Sequence, residues 1–176
     1  SCDDFIYSLC ALIKRLAVDR IHIIGDFFDR GSHADRILDL LGEYHSLDIQ
    51  WGNHDILWMG AGCGSLICIA GVIRSSIRYK TLEILESGYG ISLRNLAMFA
   101  EKTYKADDGV DSLMKAANVL LFKLEGQLIA RHPEFEMQGR LLLDKVDIEN
   151  KCIEIDGVKY EMNTVDFPTV NPEHPY

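Results

Sequence analysis

Two glycine-led acidic runs constrain this chain more than anything else in it. They are Gly-Asp-Phe-Phe-Asp-Arg-Gly (Gly25 to Gly31) and Gly-Asn-His-Asp (Gly52 to Asp55), 21 residues apart. Each follows a short β-branched or apolar stretch, Arg20 to Ile24 and Asp48 to Trp51, that reads as a strand. Between them, Ser32 is an N-cap candidate for a helix to about Tyr44, with Ile37, Leu38, Leu40 and Leu41 on its inner side. Strand, helix, strand with this spacing is a β-α-β unit, which requires a right-handed crossover and parallel strands. Both glycine-led loops then emerge at one edge of the sheet, where open α/β folds bind their ligands. Arg20 to Ile24 is expected to be a buried strand.

The flanks extend this core. Asp3 or Asp4 can cap a preceding helix to about Ala17, with Phe5, Leu9, Leu12, Ile13 and Leu16 apolar. After the second run the pattern turns helical. Leu66, Ile69, Ala70, Ile73 and Ile77 share one face, and further helices are expected over Leu93–Tyr104 and Val110–Ala130. Near the end, Cys152 to Ile155 and Val158 to Met162 flank Asp156-Gly157, a strong hairpin signal. Phe167 to Tyr176 is proline-rich and reads as an extended linker. The expected organisation is an α/β core over residues 1–60, a helical insert over 61–135, and a β-hairpin with tail over 136–176.

Composition narrows the partners. Net charge is −9, which disfavours a nucleic-acid surface but not a phosphate substrate met by metal ions. The five cysteines form no CxxC pair and read as reduced thiols of a cytoplasmic protein. Ile56 to Ile73 carries no charge, but its glycines and its position after a polar motif favour a buried loop and helix over a membrane span. The chain does not open on methionine and is expected to be a portion of something longer.

Phosphoester hydrolysis at a two-metal centre needs hard oxygen ligands, an attacking hydroxide and positive groups on the phosphoryl oxygens. Asp26, just past a strand, can bridge two divalent ions, and Asn53 offers a neutral amide oxygen. His54 suits a general acid near neutral pH. Asp29 can accept from the other ring nitrogen and fix its tautomer. Arg30 has the forked geometry for phosphate oxygens. The plainer alternatives are loop carboxylates that cap turns, for Asp26 and Asp29, and an ordinary turn, for Asn53-His54-Asp55. His22 reads as a strand residue, His33, His45 and His174 as solvated, and His132 as lacking convergent partners for a metal. Trp51 and Trp58, which bracket the second run, read as core packing.

The paired runs resemble the calcineurin-like metallophosphoesterase superfamily, and more closely the class III fructose-1,6-bisphosphatases. The similarity extends to Val18–Gly31, Asp48–Ala61, Arg131-His-Pro-Glu-Phe-Glu-Met, Arg140-Leu-Leu-Leu-Asp-Lys and Phe167-Pro-Thr-Val-Asn-Pro. The resemblance implies a partial metallophosphoesterase core and a divalent metal pair, manganese in most of that family, on Asp26 and Asn53. It implies phosphate contacts from Arg30 and His54, with Asp29 supporting His54. It also implies removal of the 1-phosphate of fructose 1,6-bisphosphate, a gluconeogenic step. A sugar bisphosphate is the expected partner, with a homo-oligomer open and neither nucleic acid nor membrane expected. Two elements of the superfamily pattern have no counterpart here: the leading Asp-x-His and the late histidine segments. The stretch is therefore expected to be catalytically incomplete alone. The alternatives are a protein Ser/Thr phosphatase, which shares the first run but prefers Arg and Glu around the second, and a non-catalytic relic or interaction module.

Overall fold

The computed structural model describes residues 1–105 and 110–176. The chain is mixed α/β and divides into two compact units, Ser1–Ile56 and Leu57–Tyr176.

In the first unit, helix α1 (Cys2–Ala17) leads to strand β1 (Ile21–Ile23), helix α2 (Ala34–Gly42) and strand β2 (Leu47–Ile49). The expected caps of α1 are corrected. Ser1 is the N-cap; its hydroxyl accepts from Asp4 N at 3.3 Å, while the Asp4 carboxylate accepts from the Ser1 amino group at 2.7 Å. A hydroxyl one turn ahead of an acid satisfies two otherwise orphaned donors at once, which neither aspartate could do alone. At the other end, the Tyr44 hydroxyl donates to Val18 O at 2.8 Å and Lys14 O at 3.3 Å, covering carbonyls that the helix end leaves open.

Strands β1 and β2 pair in parallel, with Ile21 opposite Leu47, His22 opposite Asp48 and Ile23 opposite Ile49. The β-α-β expectation is met, but the strands are shorter than expected and are not buried: Ile24 lies past the end of β1 and is 80% exposed. Two three-residue strands cannot form a layer that covers its own faces. His22 is drawn outward, its Nδ1 2.7 Å from Asp48 Oδ2 across the ladder. The start of α2 differs too. The chain enters through His33 in the left-handed region (φ 62°), so Ser32 precedes the cap and makes no capping bond. Of the predicted inner residues, Leu38 and Leu41 are half-buried, whereas Ile37 and Leu40 are exposed.

Helix α3 (Asn53–Gly62) begins in the first unit and continues into the second. The uncharged stretch after the second motif is thus helical from its first residue, then breaks at Gly64 (φ 86°) into α4 (Leu66–Tyr79). No helix among the described residues is long and apolar enough to cross a membrane.

The second unit holds most of the core. Helices α5 (Arg94–Thr103) and α6 (Ser112–Arg131) complete the helical stretch, with residues 106–109 of the expected insert outside the described residues. Val72, Leu85 and Leu93 form one buried cluster, packed by Leu57, Trp58 and Ile73, so Trp58 is a core residue as read. Ala100, Tyr104, Ala116 and Val119 form another, packed by Leu113, Phe167 and Val170. Small residues at Ala100, Ala116 and Ala117 permit close helix approach. A π-helical turn over Ile84–Gly88, not foreseen, buries Ile84 and Leu85.

The hairpin is as expected. Strands β4 (Cys152–Ile155) and β5 (Val158–Glu161) pair antiparallel around Asp156 (φ 51°) and Gly157 (φ 78°). Two successive positive φ values match the twist of the flanking strands. A two-residue strand β3 (Val146–Asp147) adds to the sheet on the far side of β4. The tail is not a free linker. The Tyr176 ring lies where a side chain at Gly126 of α6 would go, and its hydroxyl accepts from Leu143 N and donates to Asp144 Oδ1, both at 2.9 Å. Tyr104 and Thr169 also share a hydrogen bond. Burial of an aromatic ring and paired polar groups outweighs the prolines' preference for an extended, solvated chain.

Candidate active site

The two glycine-led loops meet backbone to backbone. Gln50 N donates to Ile23 O at 2.8 Å, which brings the end of β2 beside the exit of β1. Gly25 (φ 87°) and Asp26 (φ 56°) are consecutive left-handed residues, so the chain turns sharply just after the strand. A Cβ at Gly25 would fall 2.8 Å from the Trp51 carbonyl carbon and collide with Gly52 N; one at Gly52 would strike the Asp26 carboxylate. Only glycine permits this approach at both positions. The strain of a left-handed aspartate is tolerated where surrounding bonds hold it.

Those bonds come from Asp55, to which the sequence reading assigned no role. Asp55 is 6% exposed, and its carboxylate accepts from Asp26 N at 2.6 Å, Gly52 N at 2.9 Å and, more weakly, Phe28 N at 3.4 Å. It therefore clamps both loops from the first turn of α3. The signal was present: an acid three residues after Gly52 is half of a capping box, returning to the N-cap N–H. The same contact starts the helix at Asn53 rather than leaving it in a loop, which corrects the expected placement of Asn53 and His54.

Around this clamp the expected residues gather unevenly. Asp26 Oδ1 accepts from His54 N at 3.2 Å, so a carboxylate sits at the positive end of α3. His54 Nε2 lies 3.0 Å from Asp29 Oδ1, and Arg30 Nε lies 3.5 Å from the same oxygen. Asp29 Oδ1 is buried and neither contact has full hydrogen-bond alignment. The predicted His54–Asp29 partnership is thus present as a close pair. Arg30 projects outward, its side chain 69% exposed. Asn53 occupies the first helical position and is exposed.

As a metal centre the arrangement is partial. Asp26 and Asn53 are hard oxygen donors of the kind divalent ions take, but two donors fall short of a coordination shell. Among the described residues no group of three or more His, Cys, Asp or Glu could hold an ion. Of the histidines outside this cluster, His132 Nδ1 lies 2.8 Å from Glu134 and its ring stacks on Phe135 at 4.9 Å.

The family described as Firmicute fructose-1,6-bisphosphatase matches residues 1–176. The chain belongs to this family. It is 49% identical over 193 residues to a protein of Clostridium acetobutylicum named fructose-1,6-bisphosphatase class 3, a match covering 98% of this chain and 29% of that protein. It is 47% identical over 194 residues to the protein of that name from Listeria monocytogenes serovar 1/2a, covering 99% of this chain and 30% of the relative. The Alkaliphilus metalliredigens protein of the same name is 45% identical, with 99% and 29% covered. The chain thus spans under a third of the length of the curated relatives it matches. No solved structure matches.

Proposed function

We propose that the protein carrying this chain hydrolyses the 1-phosphate of fructose 1,6-bisphosphate, and that these residues form the middle of its active site within a metallophosphoesterase core. The observation that carries the reading is the Asp29–His54 pair, 3.0 Å apart, set by the loop after β1 and the first turn of α3 in a chain of a family named for this reaction. Asp29 engages Nε2 and orients the imidazole. The other ring nitrogen, Nδ1, then passes a proton to the departing sugar oxygen. Arg30, beside the same aspartate and directed outward, binds phosphoryl oxygens through its fork. Asp55 fixes the spacing of all of these by tying Asp26, Phe28 and Gly52 together. Asp26 and Asn53 would hold part of a divalent metal pair, manganese in this reading, with further ligands from outside this chain. Such a pair would supply positive charge to the phosphate and acidify water. The setting is the cytoplasm, where five unpaired thiols are stable.

The test is manganese-dependent phosphate release from fructose 1,6-bisphosphate by the intact protein. His54→Ala is expected to lower kcat by about 100-fold, the low end of general-acid contributions. Arg30→Ala should raise KM while bound manganese is unchanged. Asp26→Ala should lose metal and turnover together, and full turnover in that variant would overturn the site.

A further inference from the structure

Trp51 departs from its expected place in the core. It is 58% exposed, and its indole has no hydrogen-bond or ring partner among the described residues. Trp58 is different: it packs against the buried Val72, Leu85 and Leu93, and its ring lies 5.8 Å from that of Tyr89. An open tryptophan forfeits the gain of burying a large apolar ring, and such residues recur where a ligand or partner completes the contact.

We propose that Trp51 is a substrate-binding residue whose indole takes the C–H face of the sugar ring. This rests on the hydrolysis proposed above, and it names the group that recognises the sugar as distinct from its phosphates.

Position carries the argument. The parallel register that sets Ile23 opposite Ile49 continues past both strands, which places Gly25 beside Trp51 and Asp26 beside Gly52. Gly25 contributes no side chain to cover the ring, and a Cβ there would lie 2.8 Å from the Trp51 carbonyl carbon. The backbone is pinned on either side of Trp51: Gln50 N donates to Ile23 O at 2.8 Å, and Gly52 N to Asp55 Oδ2 at 2.9 Å. Gly52 abuts the Asp26 carboxylate, and adjacent Cα atoms stand about 3.8 Å apart. The indole is therefore rooted one residue from the group proposed to hold metal.

The chemistry suits that place. Asp26 and Asp29 make the contact between the loops acidic, so the sugar, which carries no charge between its phosphates, is best met by an uncharged surface. An indole offers an apolar, electron-rich face to C–H groups and one N–H donor to a hydroxyl. A ring with few torsions on a fixed backbone also loses little freedom when it binds.

The test is steady-state hydrolysis of fructose 1,6-bisphosphate by the intact protein, with inorganic phosphate as a competing inhibitor. Trp51→Leu keeps apolar bulk but removes the aromatic face. It should raise KM about fivefold, the size of one aromatic contact. Its kcat should stay within about twofold, as loss of binding shared by ground and transition states requires. Trp51→Ala should behave alike, and Trp51→Phe should recover most of the affinity. Bound manganese and the phosphate inhibition constant should not change in any of the three. The proposal is overturned if Trp51→Leu and Trp51→Ala keep the unsubstituted KM, or if phosphate inhibition weakens in step with KM. It is also overturned if Trp51→Ala lowers Tm while Trp51→Leu restores both Tm and KM, which would assign the ring to packing. Absence of turnover in the unsubstituted protein would strike the hydrolysis reading itself, whereas turnover with an unresponsive KM strikes only Trp51.

Discussion

Asp55 is the residue on which the local geometry turns. One carboxylate takes three backbone N–H groups from two loops, and a buried acceptor of that kind cannot be removed without leaving donors unpaired. Asp55→Ala is expected to destabilise the protein by about 3 kcal/mol, measured as a shift in urea midpoint at constant slope. A loss below about 0.5 kcal/mol would mean that the clamp is dispensable. Asp55→Asn should recover only part of the loss, because its amide places a donor against donors. The sequence made Asp29, Arg30 and His54 conspicuous because each has a chemical use. Asp55 was missed because its use is architectural, and an acid at a helix start serves that purpose without leaving a chemical signature.

Among the elements, those governed by local backbone chemistry were legible and those governed by contact were not. The Asp156-Gly157 turn followed from two residues that accept positive φ. A Cβ at Gly157 would meet nothing within 4 Å, so Gly157→Ala isolates the cost of a left-handed alanine. That cost should be about 1 kcal/mol, read from the thermal or urea transition, with no change in the strand register. The tail is the opposite case. Its prolines predicted a linker, while Tyr176 finds a glycine-shaped recess on α6 and two hydrogen-bond partners. Burial first, then the bond to the Asp144 carboxylate, pushes the Tyr176 hydroxyl up to about 12. A free phenol ionises near 10, so the native tail favours the neutral hydroxyl. Its stabilisation is fully present below about pH 10 and is lost as pH rises through about 12. Ultraviolet titration should show a phenolate appearing near pH 12 that Tyr176→Phe removes. A titration with no late phenolate would mean the tail is not docked.

Taken whole, the molecule concentrates its buried residues in the second unit, where both hydrophobic clusters lie, while α1 contains no buried residue. Native-state hydrogen exchange on these 176 residues should therefore protect α4, α5 and α6 at least about tenfold more than α1. Uniform protection would contradict that division. Pattern and composition determined the β-α-β unit, the helices that follow it and the hairpin. These depend on periodicity, turn preference and the reach of particular side chains, all local in the chain. Tertiary structure alone decided that the two loops touch through glycine, that Asp55 ties them, and that Tyr176 docks the tail. Each of these depends on which distant backbone stands opposite, and no local preference encodes that.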